Sequence, residues 1–410
     1  MFRNVMDKAG EEMKLSGNLE LMHELNTKHI LQVIRHHAPI SRSGIVEKSN
    51  LTAATVSRIV NKLIKFKLVR ETGYGESKGG RKPVLLELIP DSILTIGIDI
   101  EIDEISAIII DLEGKILASK DLPLEGNKSQ EYILRQLKKL IRRLMNIEEY
   151  NKRIIGIGIG IHGLVDSLRG VSVFPPAFSW EDLPLAKLVS EEFSLPVILE
   201  NNVRALTLGE NWFGVAKNLK NFISLKVGSG IGSGIFTNGQ LYRGTSNSAG
   251  EIGHTMVDED GPLCTCGNYG CLESMAAVPA VIKRTTKALK QGTESIINEL
   301  IDNNLDDLSS GVIVDAARQG DSLGKQILQE TGHYLGVAVA NFINILNPEA
   351  VIINGNNLVT GKILMESLRS TVNNRALAYP LKNVKIIKST LGHEGVAIGA
   401  ATLILESVFS

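Results

Sequence analysis

The chain has 410 residues, 43% of them hydrophobic and 22% charged, with a formal net charge of −1. That length predicts roughly two or three domains with real cores. No apolar run reaches the roughly 18 residues of a membrane helix, so no membrane partner is expected. The charged segment Met1 to Gly17 does not resemble a signal peptide.

The near-neutral total hides an asymmetry. Between Thr27 and Pro83 there are 12 basic and 3 acidic residues, a local charge of +9 against −10 for the remainder. A split of this kind points either to a polyanionic partner at one end or to a solvated basic face. Patterning favours the partner. Three short helices are predicted over Lys28–His37, Ser41–Lys48 and Ala53–Phe66, with Ser41 and Thr52 as N-caps. In the third, Val56, Ile59, Val60 and Leu63 form one core face, and Thr55, Ser57, Arg58, Asn61 and Lys62 lie opposite. Only Ser49–Thr52 separates the second helix from the third, the tight link of a helix-turn-helix. Strands at Leu68–Glu71 and Val84–Leu88 then flank a basic hairpin, Gly73–Gly80. Residues 20–90 therefore read as a winged helix-turn-helix for double-stranded DNA, the alternative being a packing module without a nucleic-acid role. Thr55, Ser57, Arg58 and Lys62 would meet the major groove, and Lys78, Arg81 and Lys82 of the wing would meet the minor groove.

Past Pro90 the pattern becomes α/β. Strands at Ile93–Ile100 and Glu104–Asp111, then a turn and a third strand, are echoed by strands at Asn221–Val227 and Ser233–Phe236 around the glycine-rich turn Gly228–Gly232. Helices at Gln130–Met145, Val203–Phe213 and Gly324–Leu346 alternate with strands at Ile154–Ile161, Pro196–Glu200 and Ala350–Ile353. The expectation is an internally duplicated, two-lobed, actin-like body. One lobe would cover residues 91–205 with the C-terminal helix 394–410, the other 206–393. His162, Phe174, Phe178 and Trp180 could stack on a ligand ring, or simply pack a loop.

All three cysteines fall in the run Cys264-Thr-Cys266-Gly-Asn-Tyr-Gly-Cys271, with His254 upstream. Three thiolates and an imidazole make a complete tetrahedral zinc set, so His254, Cys264, Cys266 and Cys271 are the candidate ligands of a structural zinc. Scattered core thiols would not cluster in this way. Unpaired cysteines with metal-like spacing also predict a cytoplasmic protein. A zinc knot here would bring Glu251 and Glu273 together.

Ala249-Gly-Glu-Ile-Gly-His254 and the cysteine run ending in Leu272-Glu273 resemble the signature of the ROK family of repressors, open reading frames and kinases. Glu200-Asn201-Asn202 resembles that family's second motif, and the DNA-binding segment joined to the body is the arrangement of its xylose-repressor, Mlc and NagC type. The resemblance covers nearly the whole chain. It implies a ribonuclease H-like body and sugar contacts from Asn201, Asn202, Glu251, His254 and Glu273. Amides and carboxylates are suited to vicinal hydroxyls. Two departures speak against catalysis, and no catalytic residue is assigned. The kinases carry a general-base Asp where this chain has Asn202, and an amide cannot take the proton. Their first phosphate loop, rich in glycine, is here Asp99-Ile-Glu101-Ile-Asp103, whose carboxylates would repel a nucleotide.

The function implied is a sugar-responsive repressor of carbohydrate genes, for xylose or glucose among other sugars, acting on its operator as a homodimer or higher homo-oligomer. Sugar would shift the lobes and the paired heads. Three alternatives stay open: a sugar kinase with an accessory DNA-binding domain, a regulator answering to a protein partner, and a sugar that tightens DNA binding.

Overall fold

The computed structural model describes residues 18–76, 82–126 and 128–409. The chain divides into two compact units, Met1–Glu200 with Ala400–Ser410, and Asn201–Gly399.

The first unit begins with the winged helix. A helix over Asn18–His37, starting well before the expected Lys28, buries Ile30 and Ile34, and Arg42–Ser49 follows it. The hydroxyl of Ser41 caps this second helix by accepting the N–H of Gly44 (3.1 Å), and Asn50 ends it in the left-handed conformation at φ 55°. Thr52 then caps the helix Ala53–Lys65 by accepting the N–H of Thr55 (3.2 Å). Val56, Ile59, Val60 and Leu63 are its buried residues, the face that the periodicity predicts. Strands β1 (Ile40–Ser41), β2 (Val69–Tyr74) and β3 (Val84–Leu88) pair in the order β1-β3-β2, so the first wing strand runs beyond the expected Glu71. Short bonds tie the end of the wing to the sheet beyond it. The carbonyl of Pro90 accepts the N–H of Leu112 (3.0 Å), and Arg153 binds the carboxylate of Asp91 together with its carbonyl (2.8 Å).

Strands β4 (Leu94–Ile100), β5 (Glu104–Ile110), β6 (Ile116–Pro123), β7 (Ile154–Ile161) and β10 (Val197–Asn201) form that sheet in the order β10-β7-β4-β5-β6. A two-stranded ribbon, β8 (Leu164–Asp166) with β9 (Val171–Phe174), precedes β10. The isoleucine-rich β4 is buried throughout, as befits a strand covered on both faces. The helix Gln130–Met145 covers one face through Ile133, Leu137, Leu140, Ile141 and Leu144.

The second unit repeats the plan. Strands β11 (Phe222–Val227), β12 (Ile231–Thr237), β13 (Gln240–Tyr242), β14 (Ala350–Gly355) and β15 (Lys385–Lys388) lie in the order β13-β12-β11-β14-β15. In each unit the first long strand pairs antiparallel with the next in sequence and parallel with a later one. This shared topology agrees with the duplication. Helices Ser310–Arg318, Ser322–Leu346 and Lys362–Arg375 bury their apolar residues in one cluster with Leu225, Val227, Val351 and Ile353. The helix Asn202–Trp212 packs on β12 so closely that a Cβ on Gly234 would stand 1.9 Å from Thr207 Oγ1. That glycine serves packing.

Glu210, in the same helix, is fully buried. Its Oε2 accepts the N–H of Val215 (3.1 Å), while Oε1 has no hydrogen-bond partner among the described residues. Burial pushes its pKa up, opposed by the hydrogen bonds of Ser389 and Val215. A raised carboxyl favours folding fully at low pH, and that contribution is lost as pH rises through the folded-state pKa. Urea titrations of wild type and Glu210→Gln across pH should therefore give a stability difference, wild type minus variant, that falls with pH. The expected slope is up to about 1.4 kcal/mol per pH unit between the unfolded and folded pKa values.

Candidate metal centre and nucleic-acid interface

His254 ends a short 3-10 turn over Ile252–His254, and the chain then loops out and returns at Cys271. The loop is tightly bonded. Cys264 N–H donates to the carbonyl of Asn268 (2.7 Å), Gly267 N–H donates to that of Cys264 (3.0 Å), and Leu272 N–H donates to that of Thr255 (2.9 Å). The result brings one ligand atom from each of His254, Cys264, Cys266 and Cys271 within 4.8 Å of one another. Cys264 Sγ lies 3.7 Å from His254 Nδ1, and Cys266 Sγ lies 3.7 Å from Cys271 Sγ. Metal–sulfur bonds of about 2.3 Å in a tetrahedron put neighbouring sulfurs ~3.8 Å apart, so the spacing is that of ligands around an ion. The cysteines are free thiols.

The thiols titrate apart. Cys266 is lowered to about 7, first by the backbone N–H of Asn268, whereas burial pushes Cys271 up to about 12, helped by its thiol neighbours. Cys266 and Cys271 are thus pushed in opposite directions, and a divalent cation bound by both thiolates would remove that conflict. The residues fit a metal of the zinc type.

Two of the residues expected to contact a sugar flank the cluster, Glu251 just before His254 and Glu273 just after Cys271. Glu273 Oε2 accepts the N–H of Ile231 (3.0 Å), which fixes the glycine-rich turn between β11 and β12. Glu251 is exposed as a residue. Partial desolvation of its carboxyl raises its pKa, opposed by His254 and Arg204 and reinforced by Glu273. Exposure to water weakens these effects. Asn201 Oδ1 accepts the N–H groups of Val203 (3.0 Å) and Arg204 (3.2 Å), so Asn201 is the N-cap of the helix Asn202–Trp212. Asn202 is buried, and its Oδ1 accepts the N–H of Val203 (2.9 Å). Arg204 was missed from sequence. It is buried, donates to the carbonyl of Asn247 and acts on Glu251. Its signal was a single charge in the apolar run Val203–Leu208.

The aromatic residues divide. Phe178 and Trp180 are buried and stacked at 4.8 Å, and Trp180 Nε1 donates to Ser172 Oγ (3.1 Å). His162 packs on Phe178 at 4.8 Å. Both buried rings belong to the core of the first unit, which favours loop packing over ligand stacking, while Phe174 is 51% exposed. In the turn between β4 and β5, Glu101 N–H donates to the carbonyl of Glu104 (3.0 Å), and Asp103 pairs with Lys128 Nζ (2.8 Å).

On the recognition helix Ala53–Lys65, Arg58 is exposed, whereas Thr55, Ser57 and Lys62 are half-buried. Thr52 Oγ1 donates to Thr55 Oγ1 (3.0 Å), and Asn61 Oδ1 accepts from Arg42 Nη2 (3.2 Å). Arg42 also pairs with Glu71 (3.2 Å), joining the second helix to the wing. Arg58 and Lys62 make no ion pair among the described residues. Lys82 is exposed where the wing strand begins, and Lys78 and Arg81 lie outside the described residues.

Comparison with known proteins agrees with this geometry. A model of winged helix-turn-helix DNA-binding segments matches residues 24–65, and the ROK family model matches residues 95–407. A xylose repressor of Caldicellulosiruptor bescii is 35% identical over 96% of this chain and 98% of its own length. The crystal structure of a ROK family transcriptional regulator, described as a homolog of the E. coli MLC protein, superposes with a TM-score of 0.83 at 27% identity. It covers 95% of this chain and 97% of its own. A ROK family glucokinase from Streptomyces griseus, solved with glucose and AMPPNP, covers 76% of this chain and 98% of its own, with a TM-score of 0.69 and 28% identity. The extent of the family match, with the cysteine cluster and the actin-like α/β body that carries it, establishes that this chain belongs to the ROK family.

Proposed function

We propose that the chain is a sugar-responsive, non-catalytic transcription repressor. Its winged helix, residues 20–90, binds an operator, and its body, residues 91–205 with 394–410 and 206–393, senses a sugar. The observation that carries this reading is the recognition helix. Its apolar face is fully buried while Arg58 projects, unpaired among the described residues, from the opposite side. Arg58 and Lys62, supported by Thr55 and Ser57, are assigned to the major groove, and Lys78, Arg81 and Lys82 to the wing contact. One short helix reads few bases, so a homodimer on a two-fold site is assigned as the binding form.

Asn201, Asn202, Glu251, His254 and Glu273 are assigned to the effector. His254 Nδ1 is the ring nitrogen beside the thiols, which leaves Nε2 for a sugar hydroxyl. His254, Cys264, Cys266 and Cys271 are assigned to a structural zinc. The ion would neutralise the thiolates and lock the loop. The xylose-repressor relative places D-xylose first among effectors to try. Against phosphoryl transfer stand Asn202, whose amide is no base, and the carboxylates of Glu101 and Asp103. No helix among the described residues is long and apolar enough to cross a membrane, which suits a regulator working in the cytoplasm.

Fluorescence anisotropy on DNA from upstream of the gene and its neighbours tests the reading. Titration with D-xylose, D-glucose, N-acetylglucosamine and common disaccharides should change the affinity with one of them, and indifference to all would contradict a sugar effector. Arg58→Ala should weaken specific binding by about 1–3 kcal/mol, with random-sequence binding reduced much less. In metal analysis Cys266→Ser should lose the zinc that wild type retains, and sugar affinity should fall with it. An ATP-coupled assay should show no sugar-dependent turnover.

A further inference from the structure

The bonds that shape the cysteine loop extend beyond its four candidate ligands. Asp258 stands at the corner of the loop and makes four hydrogen bonds, one of them from its own N–H to the carbonyl of Gly270 (3.4 Å). Its Oδ1 accepts the N–H of Asp260 (3.2 Å), its carbonyl accepts the N–H of Gly261 (3.2 Å), and its Oδ2 accepts the phenolic hydroxyl of Tyr334 (3.1 Å). Gly270, next to Cys271, lies so close that a Cβ there would be 1.6 Å from the Asp258 carbonyl oxygen. Asp258 thus fixes both the departing and the returning arm of the loop. Tyr334, which holds it, lies 76 residues further on, in the helix Ser322–Leu346.

A second brace acts on the other side of Cys271. Arg284, in the helix Val278–Lys290, donates through Nη1 to the carbonyl of Met275 and through Nη2 to Thr331 Oγ1 (2.8 Å). Its Nε lies 3.8 Å from Glu330 Oε2, and its guanidinium sits 5.9 Å from the centre of the Tyr334 ring. Met275 belongs to the short helix Leu272–Ala276, which starts at the residue after Cys271 and carries Glu273. Tyr334 and Arg284 therefore touch each other, one holding the entrance of the loop and the other its exit.

We infer that Tyr334 and Arg284 are positioning residues for the metal centre and for Glu273. Neither reaches the ligand atoms. They set the distance between the loop that bears Cys264 and Cys266 and the helix that starts after Cys271. The long helix behind the site thereby becomes part of the metal's surroundings. Groups bonded directly to a metal ligand typically cost about 10–100-fold in metal affinity when removed. Tyr334 and Arg284 act one bond further out, so a smaller factor is expected, whereas an ordinary surface brace costs only stability. The inference rests on the zinc reading above.

The test monitors zinc release from the full-length, zinc-loaded chain into a chromophoric chelator, well below the unfolding midpoint, with thermal unfolding measured in parallel. Tyr334→Phe keeps the ring and removes only the hydroxyl. It should release zinc several-fold faster, up to about 10-fold, with a midpoint close to that of wild type. Arg284→Lys, which keeps the charge but loses the two-pronged donor, should also release faster. Asp258→Asn keeps one oxygen for the N–H of Asp260 and presents its NH2 to the phenol, whose oxygen can accept, so it should stay near wild type. If Tyr334→Phe does not fold, Asp258→Ala takes its place with the same expected acceleration. Wild-type release rates in both Tyr334→Phe and Arg284→Lys would overturn the positioning roles while leaving the metal centre intact. Failure of the wild-type chain to take up zinc would overturn the metal reading, and this inference with it.

Discussion

Three thiols and an imidazole with their ligand atoms held within 4.8 Å of one another are the arrangement on which the account depends. Adjacent thiolates repel, and burial drives Cys271 up to about 12 even as Cys266 falls to about 7. The proposed zinc turns that repulsion into four bonds. The setting of two proposed effector residues hangs on the outcome. The turn bearing Glu251 leads into the cluster, and the helix bearing Glu273 leaves it. On the proposed reading, loss of the ion would loosen the turn that follows Glu251 and the helix that bears Glu273 together, so metal and effector site act as one object.

The residues assigned to the sugar also do structural work. Asn201 caps the helix Asn202–Trp212, Glu273 binds the N–H of Ile231, and Arg204 ties the first turn of that helix to Asn247. Asn201, Asn202 and Glu273 are preorganised, because each already has a fixed orientation from a backbone partner. The same bonds give a bound sugar purchase on the structure. Any competition for Asn201 or Glu273 would be felt by the helix Asn202–Trp212 and by the turn between β11 and β12. Coupling of this sort needs only a modest difference in affinity between two arrangements, about 1–3 kcal/mol.

Legibility in the sequence tracks the range of the forces involved. Local signals were legible. The caps at Ser41 and Thr52, the buried face of the recognition helix and the span Gln130–Met145 all arise from side-chain chemistry within a few residues. The cysteine cluster was legible because its ligands are close in sequence. Long-range partnerships were not. Nothing near Asp258 announces Tyr334, and nothing near Val203 marks Arg204 as a neighbour of Glu251. Short edge strands such as β13 and β15 owe their existence to pairing and not to composition. The start of the first helix at Asn18 was readable and missed: Leu19, Met22 and Leu25 recur at three-residue spacing, although Met22 and Leu25 stay exposed. For the aromatic loop the residues left two readings open, and the stacking of Phe178 on Trp180 inside the core favours packing.

The most direct test of the account is a single comparison. Operator affinity is measured by anisotropy as a function of the effector sugar, once with the zinc-loaded protein and once after chelation of the metal. If metal and effector site are one unit, the zinc-loaded protein responds to sugar, and the chelated protein still binds DNA but has lost the response. An undiminished sugar response after complete removal of zinc would contradict the account.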